Sequence, residues 1–135
     1  MTPTELKERT MSFAVRVLRM AENLPHCVSG QTIARQIARS GTSVAANYRA
    51  ALRAKSRADF AHKVTIVLEE ADETGFWMEL AERAALAPRK RLEPLLVESE
   101  ELVRIFSATR RTTRQNGLQE GSRMDRRPPI IDHKS

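Results

Sequence analysis

Residues 40–47 read Ser-Gly-Thr-Ser-Val-Ala-Ala-Asn, a small and polar run in the middle of a segment with helical periodicity. The apolar side chains on either side of it and within it are spaced so that they share one helical face. These are Ile33, Ile37, Val44 and Tyr48. Gly41 costs about 1 kcal/mol relative to alanine in a helix interior, and close approach by a neighbouring helix would offset that cost. The run therefore predicts a packed helix over about 29–53.

Three further helical segments are predicted, over about 4–23, 56–85 and 88–113. Thr4 is a candidate cap for the first, and Pro25 follows its end, since proline disfavours the α conformation in the residue before it. The first segment carries an apolar stripe of Leu6, Phe13, Val17, Leu18 and Ala21. The last carries a heptad-like seam of Leu92, Leu95, Leu96, Ser99, Leu102, Val103 and Phe106, which is typical of a bundle helix.

These segments predict an all-α fold, an up-down-up-down antiparallel four-helix bundle over residues 1–113. Residues 114–135 contain two glycines and Pro128-Pro129 without any apolar period, so we predict a disordered basic tail there. The chain has 135 residues, enough for one domain, and only 4% aromatic residues, which argues against a sandwich or barrel. We expect a cytoplasmic protein, because no apolar run is long enough for a membrane span and the start lacks a signal-peptide core.

The charges are segregated along the chain. Residues 26–58 carry six basic side chains and no acidic one, whereas residues 59–82 carry seven acidic side chains and one basic, Lys63. The formal net charge is +6, which favours anionic partners. This order indicates charge matching between elements, either within the chain or between subunits.

The six cations of the basic stretch have two interpretations. They are Arg35, Arg39, Arg49, Arg53, Lys55 and Arg57. In the first interpretation, several of them stabilise the C-terminal end of a helix through its dipole or form salt bridges with the acidic helix. Alternatively, they form a patch that binds nucleic-acid phosphates. No base-reading motif or aromatic platform accompanies them, so such binding would recognise backbone and shape.

Signals for catalysis, metal or cofactor binding are weak. His26, His62 and His133 are far apart and have no partner at metal-ligand spacing, and the single cysteine, Cys27, excludes a multi-cysteine site. The chain has no Glu-x-x-His motif of a di-iron bundle and no glycine-rich phosphate loop. We predict no catalytic residues, no metal site and no cofactor.

A set of spaced positions carries a family resemblance. They are Ser43, Val44 and Asn47, then Ser56, Asp59 and Phe60, then Glu73, 13 residues beyond that phenylalanine. In this order they resemble a bacterial four-helix-bundle family. It includes proteins encoded in intervening sequences of 23S ribosomal RNA genes and the accessory variability determinant of diversity-generating retroelements. The likeness covers about residues 10–113. Two departures are Ala50-Ala51, where the family often has Glu-Gly, and Glu69-Glu70, where it often has Gly-Ser.

The resemblance implies a bundle that assembles as a ring, a homopentamer with a basic surface. In the retroelement branch it also implies action alongside a reverse transcriptase and nucleic acid. On this basis we expect a subunit interface of Ser43, Asn47, Glu69, Glu70 and Glu73, with Arg35, Arg39 and Arg49 facing the acids of the next subunit. Such a heterologous contact closes into a ring where its rotation allows.

Two hypotheses follow for function. The first is a non-enzymatic oligomer that binds RNA or DNA through its backbone, as an accessory to a reverse transcriptase or to an rRNA-associated element. The second is a structural assembly or adaptor protein whose arginines serve subunit contacts. An enzyme is the least supported reading, and no membrane partner is expected.

Overall fold

The computed structural model describes residues 1–125, with side-chain surroundings described through Leu118. Four helices follow one another: α1 (Pro3–Glu22), α2 (Val28–Ala51), α3 (Arg57–Arg83) and α4 (Arg89–Asp125). The described part of the chain contains no strand. The predicted all-α class is confirmed.

Contacts between neighbouring helices establish the antiparallel order. Gly75 of α3 lies beside Ser99 of α4, and Arg57 lies beside Gly117, so residue numbers rise along one helix as they fall along the other. The hydroxyls of Ser40 and Thr74 join α2 to α3. α1 packs on α2, and α3 packs on both α2 and α4, as an up-down-up-down bundle requires.

The core is mostly aliphatic, with one contact between aromatic rings inside it. The rings of Tyr48 and Phe106 pack 5.2 Å apart at 58°, joining α2 to α4. Ser40 and Thr74 are buried polar residues between α2 and α3, and their oxygens are 2.8 Å apart. The Ser40 hydroxyl donates onward to the carbonyl of Gln36 at 2.9 Å. This chain of hydrogen bonds satisfies both hydroxyls without water.

α1 and α2 approach each other closely at Gly41. An ideal Cβ at this position would lie 2.5 Å from Cγ1 and 2.9 Å from Cβ of Val17, which is fully buried. The small residues of the run 40–47 therefore allow α1 and α2 to pack closely, as the composition of the run predicted.

α1 and α4 close the bundle with few contacts, and an ion-pair cluster dominates them. The Arg9 guanidinium donates from Nε and Nη2 to Glu98, both at 2.7 Å, and from Nη2 to Glu101 at 2.6 Å. These two carboxylates raise the pKa of Arg9 further above its ordinary value. The bidentate geometry makes this pair stronger than a typical surface ion pair.

The beginning of α1 differs from the sequence prediction. The N-cap is Thr2 rather than Thr4, and its hydroxyl accepts from the amide of Glu5 at 3.1 Å. Glu5 in turn accepts from the Thr2 amide at 2.7 Å, which completes a capping box with Pro3 at the first helical position. Leu18, which we placed in the buried stripe, is 42% exposed, because its position lies beyond the edge of the face that packs on α2.

The end of α4 also differs. The helix continues to Asp125, so the boundary that we predicted at residue 113 does not mark its end. Arg, Gln, Leu and Glu are good helix formers, and each interior glycine costs only about 1 kcal/mol, so a helix already supported by packing extends until proline is near. The rest of the predicted disordered tail, residues 126–135, lies outside the described residues.

Candidate nucleic-acid interface

Three arginines form a stripe along the outer face of α2, and a fourth, Arg53, follows just beyond its end. Arg35, Arg39, Arg49 and Arg53 are all exposed, and the spacing of the first three places them on one side of the helix. At 1.5 Å per residue the helical part of the stripe, from Arg35 to Arg49, is about 21 Å long. Lys55 is also exposed and follows directly in the α2–α3 connection. We call Arg35, Arg39, Arg49, Arg53 and Lys55 the α2 basic stripe.

Arg39 differs from the rest of the stripe because its charge is matched within the chain. Its guanidinium donates to Glu70 at 3.2 Å and to Glu73. Glu73 also accepts from the indole nitrogen of Trp77 at 2.9 Å. For Arg39 the charge matching predicted from the sequence is therefore intramolecular. In the alternative, Arg39 contacts the acids of a second subunit. That would require Arg39 to give up its contacts with Glu70 and Glu73 of its own chain.

The C-terminal end of the stripe borders a cationic cleft between α2 and α3. The cleft has a volume of about 400 Å³ and is lined by Ala46, Arg49, Ala50, Arg53, Lys55, Asp59 and Lys63. Asp59, its single carboxylate, accepts from Lys63 Nζ at 2.7 Å and from the Lys55 amide at 3.1 Å. The side chains of Arg49, Arg53 and Lys55 make no ion pair within residues 1–118, whose side chains the structure describes. An excess of positive charge therefore faces this cleft.

Asp59 takes part in the N-terminal cap of α3 as well as supplying the negative charge of the cleft. Its amide is held by the Ser56 side chain at 3.0 Å, as the predicted cap requires. The hydrogen bond from Lys63, and then that from the Lys55 amide, lower the pKa of the Asp59 carboxyl below its ordinary value of 3.8. The folded state therefore favours the carboxylate.

The lowered pKa of Asp59 predicts a pH-dependent stability. Its contribution is present above the unfolded-state pKa and is lost as the pH falls through the folded-state pKa. We expect wild type to exceed Asp59→Asn in melting temperature at pH 7, and the difference to shrink as the pH falls below the ordinary Asp pKa of 3.8. Thermal denaturation followed by circular dichroism from pH 7 to pH 2.5 measures this. A difference that stays constant over the range would contradict it.

Arg57 lies apart from the other predicted phosphate ligands. It is exposed at the start of α3, but its side chain runs beside Gly117 of α4. There it lines a separate hollow of about 300 Å³ with Ala58, Ala61, Thr113, Arg114 and Gly117. The structure therefore brings together Arg49, Arg53 and Lys55, places Arg35 further along the same face, and separates Arg57.

The residues predicted for a subunit interface occupy different surroundings. Ser43 and Asn47 are half-buried, and the Asn47 amide donates to the Ser43 carbonyl at 2.9 Å within α2. Glu69 is exposed, whereas Glu70 and Glu73 are engaged by Arg39. Their role in assembly stays a prediction.

Sequence reasoning missed a second surface feature, at the junction of α3 and α4. Phe76 is 54% exposed. It packs edge-on against Trp77, with ring centroids 5.0 Å apart. Phe76 lies one residue from a helical core position, so the helical pattern did not indicate whether its ring is exposed. The depth of the surface beside it depends on two small residues on different helices, Gly75 and Ser99.

Candidate ligands for a metal ion do not converge in the described residues, where no group of three His, Cys, Asp or Glu side chains has suitable placement. His26 and His62 are exposed and far apart in the bundle. Cys27 is exposed and acts as the N-cap of α2, with its sulfur 3.4 Å from the Gly30 amide. Through Asp125, no helix combines the length and the apolar character needed to cross a bilayer.

Comparisons with known proteins agree with this architecture. The model of the 23S rRNA-intervening sequence protein family matches residues 4–108. Among solved structures, a protein of unknown function from the S23 ribosomal protein family of Bacteroides thetaiotaomicron VPI-5482 is similar, with 38% identity and a TM-score of 0.69. The similarity covers 76% of this chain and 95% of that one. A search of curated proteins gave no match.

Proposed function

The chain belongs to the 23S rRNA-intervening sequence protein family, and we propose that it is a non-enzymatic, oligomeric four-helix bundle of the cytoplasm that binds RNA or DNA through the phosphate backbone. The binding surface is the α2 basic stripe with its cationic cleft. The family name refers to where such proteins are encoded, so the proposal depends on the surface itself.

One observation carries the proposal. Arg35, Arg49, Arg53 and Lys55 are exposed cations with no acidic partner among the described residues. Arg39 of the same stripe is matched by carboxylates, and so are Arg9, Lys63 and Arg89. Four unmatched cations on one face repel one another unless an anion occupies the face, and phosphates spaced along a backbone supply that anion.

The composition of the stripe favours backbone contacts over base contacts. Tyr48, the aromatic residue of α2, is buried in the core and unavailable for stacking on a base. Between the arginines of the stripe lie small residues such as Ala46 and Ala50. We therefore propose recognition of charge and shape, with little discrimination between sequences.

Assembly multiplies this surface. The family resemblance supports a homopentameric ring, in which five copies of the stripe act together and raise the affinity through multivalency. In this proposal Ser43, Asn47 and Glu69 contribute to the subunit contact. A reverse transcriptase or an rRNA-associated element is the proposed setting in which the bound nucleic acid is used.

Fluorescence anisotropy with a structured RNA and a duplex DNA of unrelated sequence tests the proposal. At low salt we expect micromolar or tighter binding of at least one of them, and a dissociation constant that changes less than about fivefold when its sequence is scrambled. Absence of binding to both at low salt would overturn it.

A second candidate function is an adaptor that docks another protein. One observation favours it: Met11, Val15 and Leu18 on α1 are 47%, 40% and 42% exposed and follow each other at helical spacing. Such an apolar stripe marks a docking face when it is continuous. If the protein binds neither nucleic acid but still assembles, the adaptor function would be favoured over nucleic-acid binding.

A further inference from the structure

A groove between α3 and α4 lies outside the proposed nucleic-acid surface. Its floor is made by Gly75 and Ser99, both buried and both small, and its volume is about 500 Å³. A Cβ added to Gly75 would come within 3.2 Å of the Ser99 hydroxyl, so glycine keeps this floor low. We call the surface the α3–α4 groove.

One wall of the α3–α4 groove is apolar. Phe76 projects from α3 and is half-exposed, with its ring supported edge-on by Trp77. Leu96 and Val103 of α4 line the same space. A large aromatic side chain left in water beside two aliphatic ones loses the burial that would stabilise it, so a ligand with apolar side chains would gain free energy here.

The rim of the α3–α4 groove is acidic, in contrast to the net charge of the chain. Asp72, Glu79 and Glu100 are exposed, and their carboxylates have no hydrogen-bond or ion-pair partner in the part of the chain that the structure describes. Arg104 is the one cation that lines the groove. A ligand that combines apolar side chains with positive charge would complement this surface.

We propose that the α3–α4 groove binds the C-terminal segment, residues 126–135, of a second copy of the chain. This segment reads Arg-Arg-Pro-Pro-Ile-Ile-Asp-His-Lys-Ser. Arg126 and Arg127 match the acidic rim, and Ile130 and Ile131 supply apolar side chains for the wall. Pro128-Pro129 restricts the backbone before binding, and proline-containing segments dock on aromatic grooves at low entropic cost for this reason.

The length of the segment selects a second copy over the same chain. Glu100 lies about 38 Å from Asp125 along the axis of α4, at 1.5 Å per residue. From Asp125 to Ile131 a fully extended chain spans at most about 21 Å. The isoleucines therefore do not reach the groove of their own bundle, whereas the segment of a neighbouring bundle is under no such limit.

This contact joins different surfaces of two copies, so it propagates from bundle to bundle and closes into a ring where the rotation allows. It rests on the assembly included in the proposed function but not on nucleic-acid binding. A test with nucleic acid absent therefore separates the two.

A synthetic peptide of residues 126–135 tests the inference, with the emission of Trp77 as the signal because the chain has one tryptophan. The receptor is the full chain with Arg126→Glu and Arg127→Glu, which weakens its own segment as a competitor. We expect a saturable change in emission. Glu100→Lys in the same receptor should weaken the peptide at least about fivefold, because it reverses a rim charge.

Glu8→Lys is the matched control, since Glu8 is an exposed acid on α1 that makes no ion pair with the side chains described, those through Leu118. The receptor with Glu8→Lys should bind the peptide with an affinity within about twofold of that of the receptor without this change. Circular dichroism establishes that both variants fold. An emission that does not change up to millimolar peptide would overturn the inference, and so would equal affinities for the Glu100→Lys and Glu8→Lys receptors.

Discussion

Replacing Gly41 with alanine should lower the free energy of unfolding by about 2 kcal/mol, although alanine is the better helix former by about 1 kcal/mol. The new Cβ would lie 2.5 and 2.9 Å from two atoms of Val17, a fully buried residue with a branched side chain. Because Val17 Cβ is fixed to the α1 backbone, relief requires α1 to move away from α2. Thermal denaturation at fixed protein concentration should show a decrease of roughly 8 °C.

Gly117→Ala is the matched control for this prediction. Its added Cβ would meet Arg57 Cδ at 3.3 Å, and an exposed arginine chain yields at little cost. We expect the helix propensity to dominate there, so that the melting temperature stays equal or rises by a few degrees. If Gly41→Ala is as stable as Gly117→Ala, α1 and α2 do not approach as closely as described.

Reversing two charges of the cationic cleft, with Arg49→Glu and Arg53→Glu, should weaken nucleic-acid binding at least about 100-fold at 50 mM salt. The double variant removes two phosphate ligands and places two carboxylates beside the backbone, where repulsion is poorly screened at this salt concentration. Neither arginine makes an ion pair with another side chain of residues 1–118, so the substitutions break no salt bridge in that part of the chain. Anisotropy with the better ligand of the two tested above measures the effect.

Arg16→Glu with Arg19→Glu is the control for the change in net charge. Both arginines are exposed on α1 and form no ion pair within the described chain. The control changes net charge by the same amount as the cleft variant but lies on another helix. We expect it to weaken binding less than about tenfold. Equal losses in the two variants would show that overall charge, and not the α2 basic stripe, drives binding.

Much of the fold was predictable because local patterns dictate it. The seam from Leu92 to Phe106 and the small run around Gly41 both mark packed helix faces. The structure buries all of the seam except the half-buried Val103, and it buries Ser40, Gly41 and Val44 of the small run. The cap of α1 was predicted wrongly at Thr4, although Thr2 and Glu5 have the spacing of a capping box with proline between them. The end of α4 was less predictable from the sequence, because glycines weaken a helix without ending it.

The site was only partly predictable, because its decisive contacts join distant parts of the chain. Helical spacing places the arginines of α2 on one face. The pairing of Arg39 with Glu70 and Glu73 depends on how α2 and α3 are aligned, which spacing within one helix does not determine. The direction of Arg57 toward α4 depends on the same kind of alignment. The α3–α4 groove depends on Gly75 and Ser99 meeting across two helices.

The salt dependence of nucleic-acid binding tests the central claim most directly. Each phosphate contact contributes about 0.9 to the slope of log affinity against log salt on duplex DNA, and about 0.7 on a single strand. For wild type we predict a slope of magnitude about 3 or more. Arg49→Ala with Arg53→Ala should reduce that magnitude by about two. A steep wild-type slope that the double variant leaves unchanged, or a wild-type affinity that is insensitive to salt, would contradict the account.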